Sequence, residues 1–103
     1  MIYELTQDNF ADEIENSEIP VLVDMYADWC SSCKNMTPII DTLAKEQEGR
    51  LKVCKIDINS APQVAAQYHV ESLPTCILFD EGDIKTKVVG VRNKHELEEE
   101  IGI

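Results

Sequence analysis

The sequence predicts an α/β fold, with a mixed central β-sheet of about five strands and helices on both faces. Short apolar runs alternate along the chain with stretches whose apolar residues recur three and four apart, so strand and helix periods take turns. The run Pro20–Tyr26 is apolar on both faces, the pattern of a buried central strand, and Leu51–Ile58 reads as a second buried strand. Between the last two strand-like runs lies Glu81-Gly82-Asp83, a turn that suits a hairpin. Strands joined through helices are expected to be parallel with right-handed crossovers, and the hairpin antiparallel. The order is β-α-β-α-β-α-β-β-α, and 103 residues without repeats or linkers make one domain, 1–103.

Ile2–Leu5 reads as a short strand. Thr6 is placed to cap the helix that follows, with Asp8 in its first turn and Phe10 and Ile14 on one face; that helix fades near Asn16-Ser17. Pro20 opens the first buried strand, where a missing N–H is tolerated. The next helix opens around a cysteine pair and carries Met36, Ile39, Ile40, Leu43 and Ala44 at helical spacing. Pro38 falls inside it and predicts a kink rather than an end, because the apolar period continues to the stop at Gly49. Beyond Leu51–Ile58, Ser60-Ala61-Pro62-Gln63 resembles a capping box with proline in the first turn, opening a short helix through Tyr68. Thr75–Phe79 and Ile84–Val89 form the hairpin. Asn93-x-x-Glu96 starts the last helix, whose inner face carries Leu97 and Ile101.

At 44% hydrophobic and 28% charged, the composition is that of an ordinary globular chain. Nine Lys and Arg against 20 Asp and Glu leave a formal charge of −11. Nucleic acid and anionic membrane surfaces bind through Lys and Arg, so neither is an expected partner. No apolar run approaches the ~20 residues of a spanning helix. Met1 to Asp8 has neither the basic nor the apolar region of a signal peptide, and the expected location is the cytoplasm. The cluster Glu96, Glu98, Glu99 and Glu100, and the lack of any Lys or Arg before Lys34, read as solvated faces. They could also steer the chain to an electropositive partner.

Reducing compartments disfavour structural disulfides, and a close cysteine pair there is more often catalytic or metal-binding. Cys30-Ser31-Ser32-Cys33 is such a pair, at a strand-to-helix junction. Its first cysteine lies at the helix N-terminus, where unpaired N–H groups and the positive dipole end favour a thiolate. The second, one turn on, faces the same way and can attack a mixed disulfide formed at the first. On this chemistry Cys30 attacks and Cys33 resolves. Spacing alone leaves two rivals open: small apolar residues in a helix, or half of a zinc site. Cys54 and Cys76 stand alone in apolar strands and read as buried filler, without a neighbour to complete a four-cysteine metal site.

The segment Val23-Asp24-Met25-Tyr26-Ala27-Asp28-Trp29-Cys30-Ser31-Ser32-Cys33-Lys34 closely resembles the active-site segment of the thioredoxin family, and the resemblance runs the whole chain. The family's buried Asp six residues before its first cysteine matches Asp24. Its Trp before that cysteine matches Trp29, its Lys after the second Lys34, and its helix-kinking proline Pro38. Its strand lysine near the buried Asp matches Lys55, its cis-proline loop Ser72-Leu73-Pro74-Thr75, and a late glycine Gly90. The resemblance implies a thioredoxin fold and a redox-active Cys30–Cys33 disulfide, with no bound cofactor and no metal. It implies disulfide-containing proteins as targets and a thioredoxin reductase or similar electron donor, and the chain is expected to work as a monomer. Three positions depart from the family: Ser31-Ser32 stand where Gly-Pro is usual, and Tyr26 where Trp is usual.

The residues carry their own reading beside that likeness. A carboxylate in a strand as apolar as Pro20–Tyr26 is costly to bury unpaired. Desolvation is expected to raise the pKa of Asp24 toward that of a proton acceptor for Cys33, with Lys55 opposing the rise; the rival is a structural ion pair. Trp29, beside the reactive loop, is expected to face a partner. Pro74, implied to be cis, would leave an unpaired backbone edge beside Cys30. There Leu73, Thr75 and Gly90 would help an extended substrate segment add hydrogen bonds. Ser31 and Ser32 add donors at the helix N-terminus and should favour the Cys30 thiolate. His69 and His95 read as solvated, without an acidic or cysteine partner at useful spacing. The expected function is a thioredoxin-type protein-disulfide reductase in cytoplasmic redox homeostasis. The alternative is a binding module of the same fold whose redox state gates a partner, with little turnover of its own.

Overall fold

The computed structural model describes residues 1–103. The elements are β1 (Ile2–Leu5), α1 (Phe10–Glu15), β2 (Val21–Tyr26), α2 (Ser31–Glu46), β3 (Lys52–Asp57), α3 (Pro62–Gln67), β4 (Thr75–Asp80), β5 (Asp83–Val89) and α4 (Lys94–Ile101), in the order expected. Local signals account for most of their ends. Thr6 and Asn9 exchange bonds, Asn9 N–H to Thr6 Oγ1 at 3.2 Å and Thr6 N–H to Asn9 Oδ1 at 2.8 Å, so the cap closes one turn ahead of α1. Asn93 and Glu96 form a capping box at the start of α4. α2 continues through Pro38 to Glu46, as its apolar period requires.

The capping box expected at Ser60 does not form. The Gln63 N–H it would serve is taken by Gln7 Oε1 at 2.8 Å, which ties α3 to the start of the chain. The hairpin turns on two residues rather than three: Glu81 and Gly82 both have positive φ, as a two-residue type I′ turn needs, and Asp83 already pairs with Asp80.

The sheet order is β1-β3-β2-β4-β5. β3 is parallel to β1 and β2, whereas β4 is antiparallel to both β2 and β5. The expectation that all helix-joined strands are parallel therefore fails at β4. α3 has six residues and spans about 9 Å, and with its flanking loops the connection does not carry the chain back to the far end of the sheet, where a parallel strand would have to begin. β4 starts instead where β2 and β3 finish, with Thr75 opposite Met25.

Alternation along the strands divides the core into two layers. Val21, Val23 and Met25 pack with Cys54, Ile56, Ile77 and Phe79 beneath α1 and α3. Leu22, Val53, Cys76 and Leu78 face the opposite way, against Met36, Ile40 and Leu43 of α2 and Leu97 and Ile101 of α4. Asp24 lies on that second face, with Lys55 of β3 on one side and Cys76 of β4 on the other. It is the one charged side chain among the buried residues.

Candidate active site

After β2 the chain turns through Ala27-Asp28-Trp29, and Cys30 N–H closes the turn on Ala27 O at 3.1 Å. Cys30 is then the N-cap of α2, its backbone extended and its Sγ accepting the Cys33 N–H at 3.1 Å. Sulfur takes the place that a Ser or Asp oxygen ordinarily holds at a helix start, where the N–H groups and the dipole favour negative charge. Cys33 follows one turn on, its Cα 5.3 Å from that of Cys30, and the two sulfurs are joined as a disulfide. Both residues are buried.

The two cysteines border different hollows. Trp29, Cys30, Ser31, Ser32 and Leu73 line an open groove, where Trp29 stands 69% exposed. Ser32 Oγ lies 3.3 Å from Cys30 Sγ and donates to Leu73 O at 3.3 Å, so one hydroxyl links the helix start to the facing loop. The Leu73–Pro74 peptide bond in that loop is cis. Gly90 N–H donates to Pro74 O at 2.9 Å, and its φ of +96° is a conformation that favours glycine. Thr75 departs from its expected place on the substrate surface. It is buried, and its hydroxyl donates to Ser72 O at 2.6 Å, because the strand's alternation turns its side chain inward to hold the loop.

Cys33 borders the other hollow, a recess of about 170 Å³ under α2 that it shares with Asp24, Tyr26, Lys34, Thr37 and Lys55. A space of that size admits water. Burial pushes the Asp24 carboxyl up from 3.8 to about 6, while Lys55 and the Cys76 thiol pull it down and Glu4 pushes it up. Lys55 stands opposite Asp24 in register, yet its ammonium pairs with Glu4 at 3.7 Å and lies 5.7 Å over the Tyr26 ring. Tyr26 Oη donates to Glu4 at 3.1 Å, and burial and Glu4 both raise its pKa. Glu4 thus shares the Lys55 cation with Asp24, and no ammonium lies within ion-pair distance of the Asp24 carboxylate.

Glu4 and Cys76 are the residues that sequence reasoning missed. Glu4 is exposed on an edge strand and meets Lys55 only through the parallel register of β1 with β3. Cys76 is more than filler: its Sγ lies 3.9 Å from Asp24 Oδ1 and donates to it. Cys54 does pack as an apolar residue in the opposite layer, where burial pushes its thiol up to about 11. His69 is exposed, whereas His95 does have an acidic partner, Glu99 at 2.7 Å; the four-residue spacing on α4 would have found it. No group of three or more His, Cys, Asp or Glu is placed to hold a metal ion.

The thioredoxin family model matches residues 1–102. Thioredoxin of Rickettsia felis is 40% identical over 97 residues, which cover 94% of this chain and 92% of the relative. Thioredoxin 1 of a Nostoc species is 39% identical over 94 residues, covering 91% of this chain and 88% of the relative. The M-type, chloroplastic thioredoxin of Spinacia oleracea is 36% identical over 100 residues, covering 97% of this chain and 55% of the relative.

Proposed function

The chain belongs to the thioredoxin family, and from that premise we propose a protein-disulfide reductase whose two cysteines divide the work as their two hollows divide the space. It is a thiol–disulfide oxidoreductase with a redox-active cysteine pair. In the proposed direction the Cys30 thiolate attacks one sulfur of a target disulfide. A mixed disulfide forms, and the other target sulfur leaves as a thiolate. Cys33 then gives its proton to Asp24, and its thiolate attacks Cys30 Sγ. The Cys30–Cys33 bond forms, the second target thiolate leaves, and the target has gained two electrons.

The separation of the two cysteines carries this assignment: Cys30 borders the groove of Trp29 and Leu73, and Cys33 the recess that holds Asp24. A carboxyl pushed up to about 6 is ionised at neutral pH yet basic enough to take a proton. Lys55 modulates that basicity, and Ser31 and Ser32 tune the Cys30 thiolate. Trp29, Leu73 and Pro74 receive an extended target segment, while Thr75 and Gly90 hold the shape of that surface. The pair is recharged by a thioredoxin reductase or a similar donor. We place the protein in the cytoplasm as a monomer, residues 1–103 acting as one domain, with no bound cofactor, metal, nucleic acid or membrane. Fractionation tests the compartment, since one relative is named as chloroplastic.

Trapping tests the roles. Cys33→Ser mixed with cell extract should accumulate covalent partners through Cys30, because only the resolving step is lost, whereas Cys30→Ser should trap none and lose insulin-reducing turnover. Mass spectrometry of the adducts reads the outcome. Partners found only with Cys30→Ser would reverse the assignment. Partners retained without turnover in the parent would favour a redox-gated binding module.

A further inference from the structure

We infer that Cys76 is a positioning residue for this reaction: from β4 its thiol donates to the Asp24 carboxylate and sets how strongly that carboxylate holds a proton. The inference rests on the reading of Asp24 as proton acceptor. The two residues face each other directly in the antiparallel β2–β4 register, with Sγ and Oδ1 3.9 Å apart and both side chains buried. No other hydrogen bond reaches the Asp24 side chain. Lys55, the cation in register with it, is held by Glu4. A buried carboxylate without a donor is costly, and among the side chains around Asp24 the Cys76 S–H is the one that hydrogen-bonds it.

A thiol is a weak donor, and it bonds the charged carboxylate in preference to the neutral acid. It therefore eases ionisation of Asp24 without removing the rise that burial imposes. The donor survives beside a negative charge, because burial and then Asp24 itself push the Cys76 thiol far above its usual range. Lys55, Glu4 and Tyr26 face Asp24 along the sheet; Lys34, Asp41 and Asp28 border its recess from α2 and the loop before it. None of these changes when Cys76 is replaced, and in the oxidised protein Cys33 does not titrate.

The test follows the Asp24 carboxyl carbon by ¹³C NMR against pH in the oxidised parent, Cys76→Ser, Cys76→Ala and Cys76→Val. Ser keeps a donor, and Ala and Val remove it. The Asp24 midpoint should rise by about half a pH unit in Ala and Val and fall below the parent in Ser, the scale of one weak hydrogen bond. Equal midpoints in Ser and Ala would overturn the inference. Infrared S–H bands of the unsubstituted oxidised protein give a reading that needs no variant. The Cys76 band should move through the Asp24 midpoint while the Cys54 band stays still, and two stationary bands would overturn it. The pH at which turnover is half-maximal should follow the carboxyl midpoint across the series. If Asp24→Asn instead turns over like the parent at every pH, the proton-acceptor reading falls with its consequence for rate. The carboxyl titration still decides whether Cys76 sets the proton affinity of Asp24.

Discussion

Asp24 is 6% exposed in the middle of β2, and its charge is held against the preference of the fold. With its carboxyl raised from 3.8 to about 6, the folded chain binds that proton more tightly than the unfolded chain. The resulting stabilisation is complete below about pH 4 and is lost as the pH rises through about 6, which amounts to about 3 kcal/mol at neutral pH. An amide has no charge to desolvate. Asp24→Asn should therefore be more stable than the parent at pH 7 by about 2 kcal/mol, a gap that closes as the pH falls from about 6 to about 4. Urea titrations across that range measure it, and a gap independent of pH would show that the carboxylate is not the cause. Reduction should move the other way, slowed by about tenfold or more near neutral pH, where Asp24 is ionised and solution base is scarce, with the deficit narrowing below about pH 6 as the parent's own carboxyl becomes protonated. Greater stability with poorer catalysis is the pattern of a residue retained for chemistry.

The start of α2 gathers the groups that favour an anion at Cys30. The Cys33 N–H and the Ser32 hydroxyl lie 3.1 and 3.3 Å from its sulfur, with the helix dipole behind them. Proline in place of Ser32 would remove both a hydroxyl and an N–H. Donors to the thiolate stabilise the reduced pair, and ~1.4 kcal/mol corresponds to ~30 mV for a two-electron couple. The parent should therefore have a potential roughly 30–60 mV above that of the Ser31→Gly, Ser32→Pro double variant. The Ser32 hydroxyl also donates to Leu73 O, so it must turn from that carbonyl to serve a thiolate, which trims the gain without reversing its sign. Redox titration of the two proteins side by side decides it. A variant as oxidising as the parent would refute the role given to the serines.

Across the whole molecule the formal charge is −11, and four cations, Lys52, Lys55, Arg92 and Lys94, are already paired with glutamates. The field an approaching target meets is therefore negative. It should speed encounter with basic targets and slow encounter with acidic ones until salt screens it. A cationic disulfide peptide should be reduced several-fold faster than an anionic one of the same length at low ionic strength, with the difference closing by about 0.3 M salt. Stopped-flow rates over a salt series measure this. Parallel salt dependence for the two peptides would leave Glu96, Glu98, Glu99 and Glu100 with no part in steering.

The sequence by itself determined the order of elements, the twice-covered strand β2 and the cysteine pair at a helix start. Each of these is local, carried by a repeat of two or 3.6 residues or by a cap within one turn. Asp24 was legible for the same reason, since a carboxylate amid consecutive apolar residues is an anomaly that a short window contains. Only the tertiary structure decided that β4 runs against β2, that Gln7 caps α3, that Glu4 holds Lys55 and that Cys76 donates to Asp24. Each joins residues far apart in sequence, and which strands lie side by side depends on where the connections can reach. A cysteine in an apolar strand reads the same whether its neighbour across the sheet is a leucine or a carboxylate, so its chemistry stays hidden until the strands are paired.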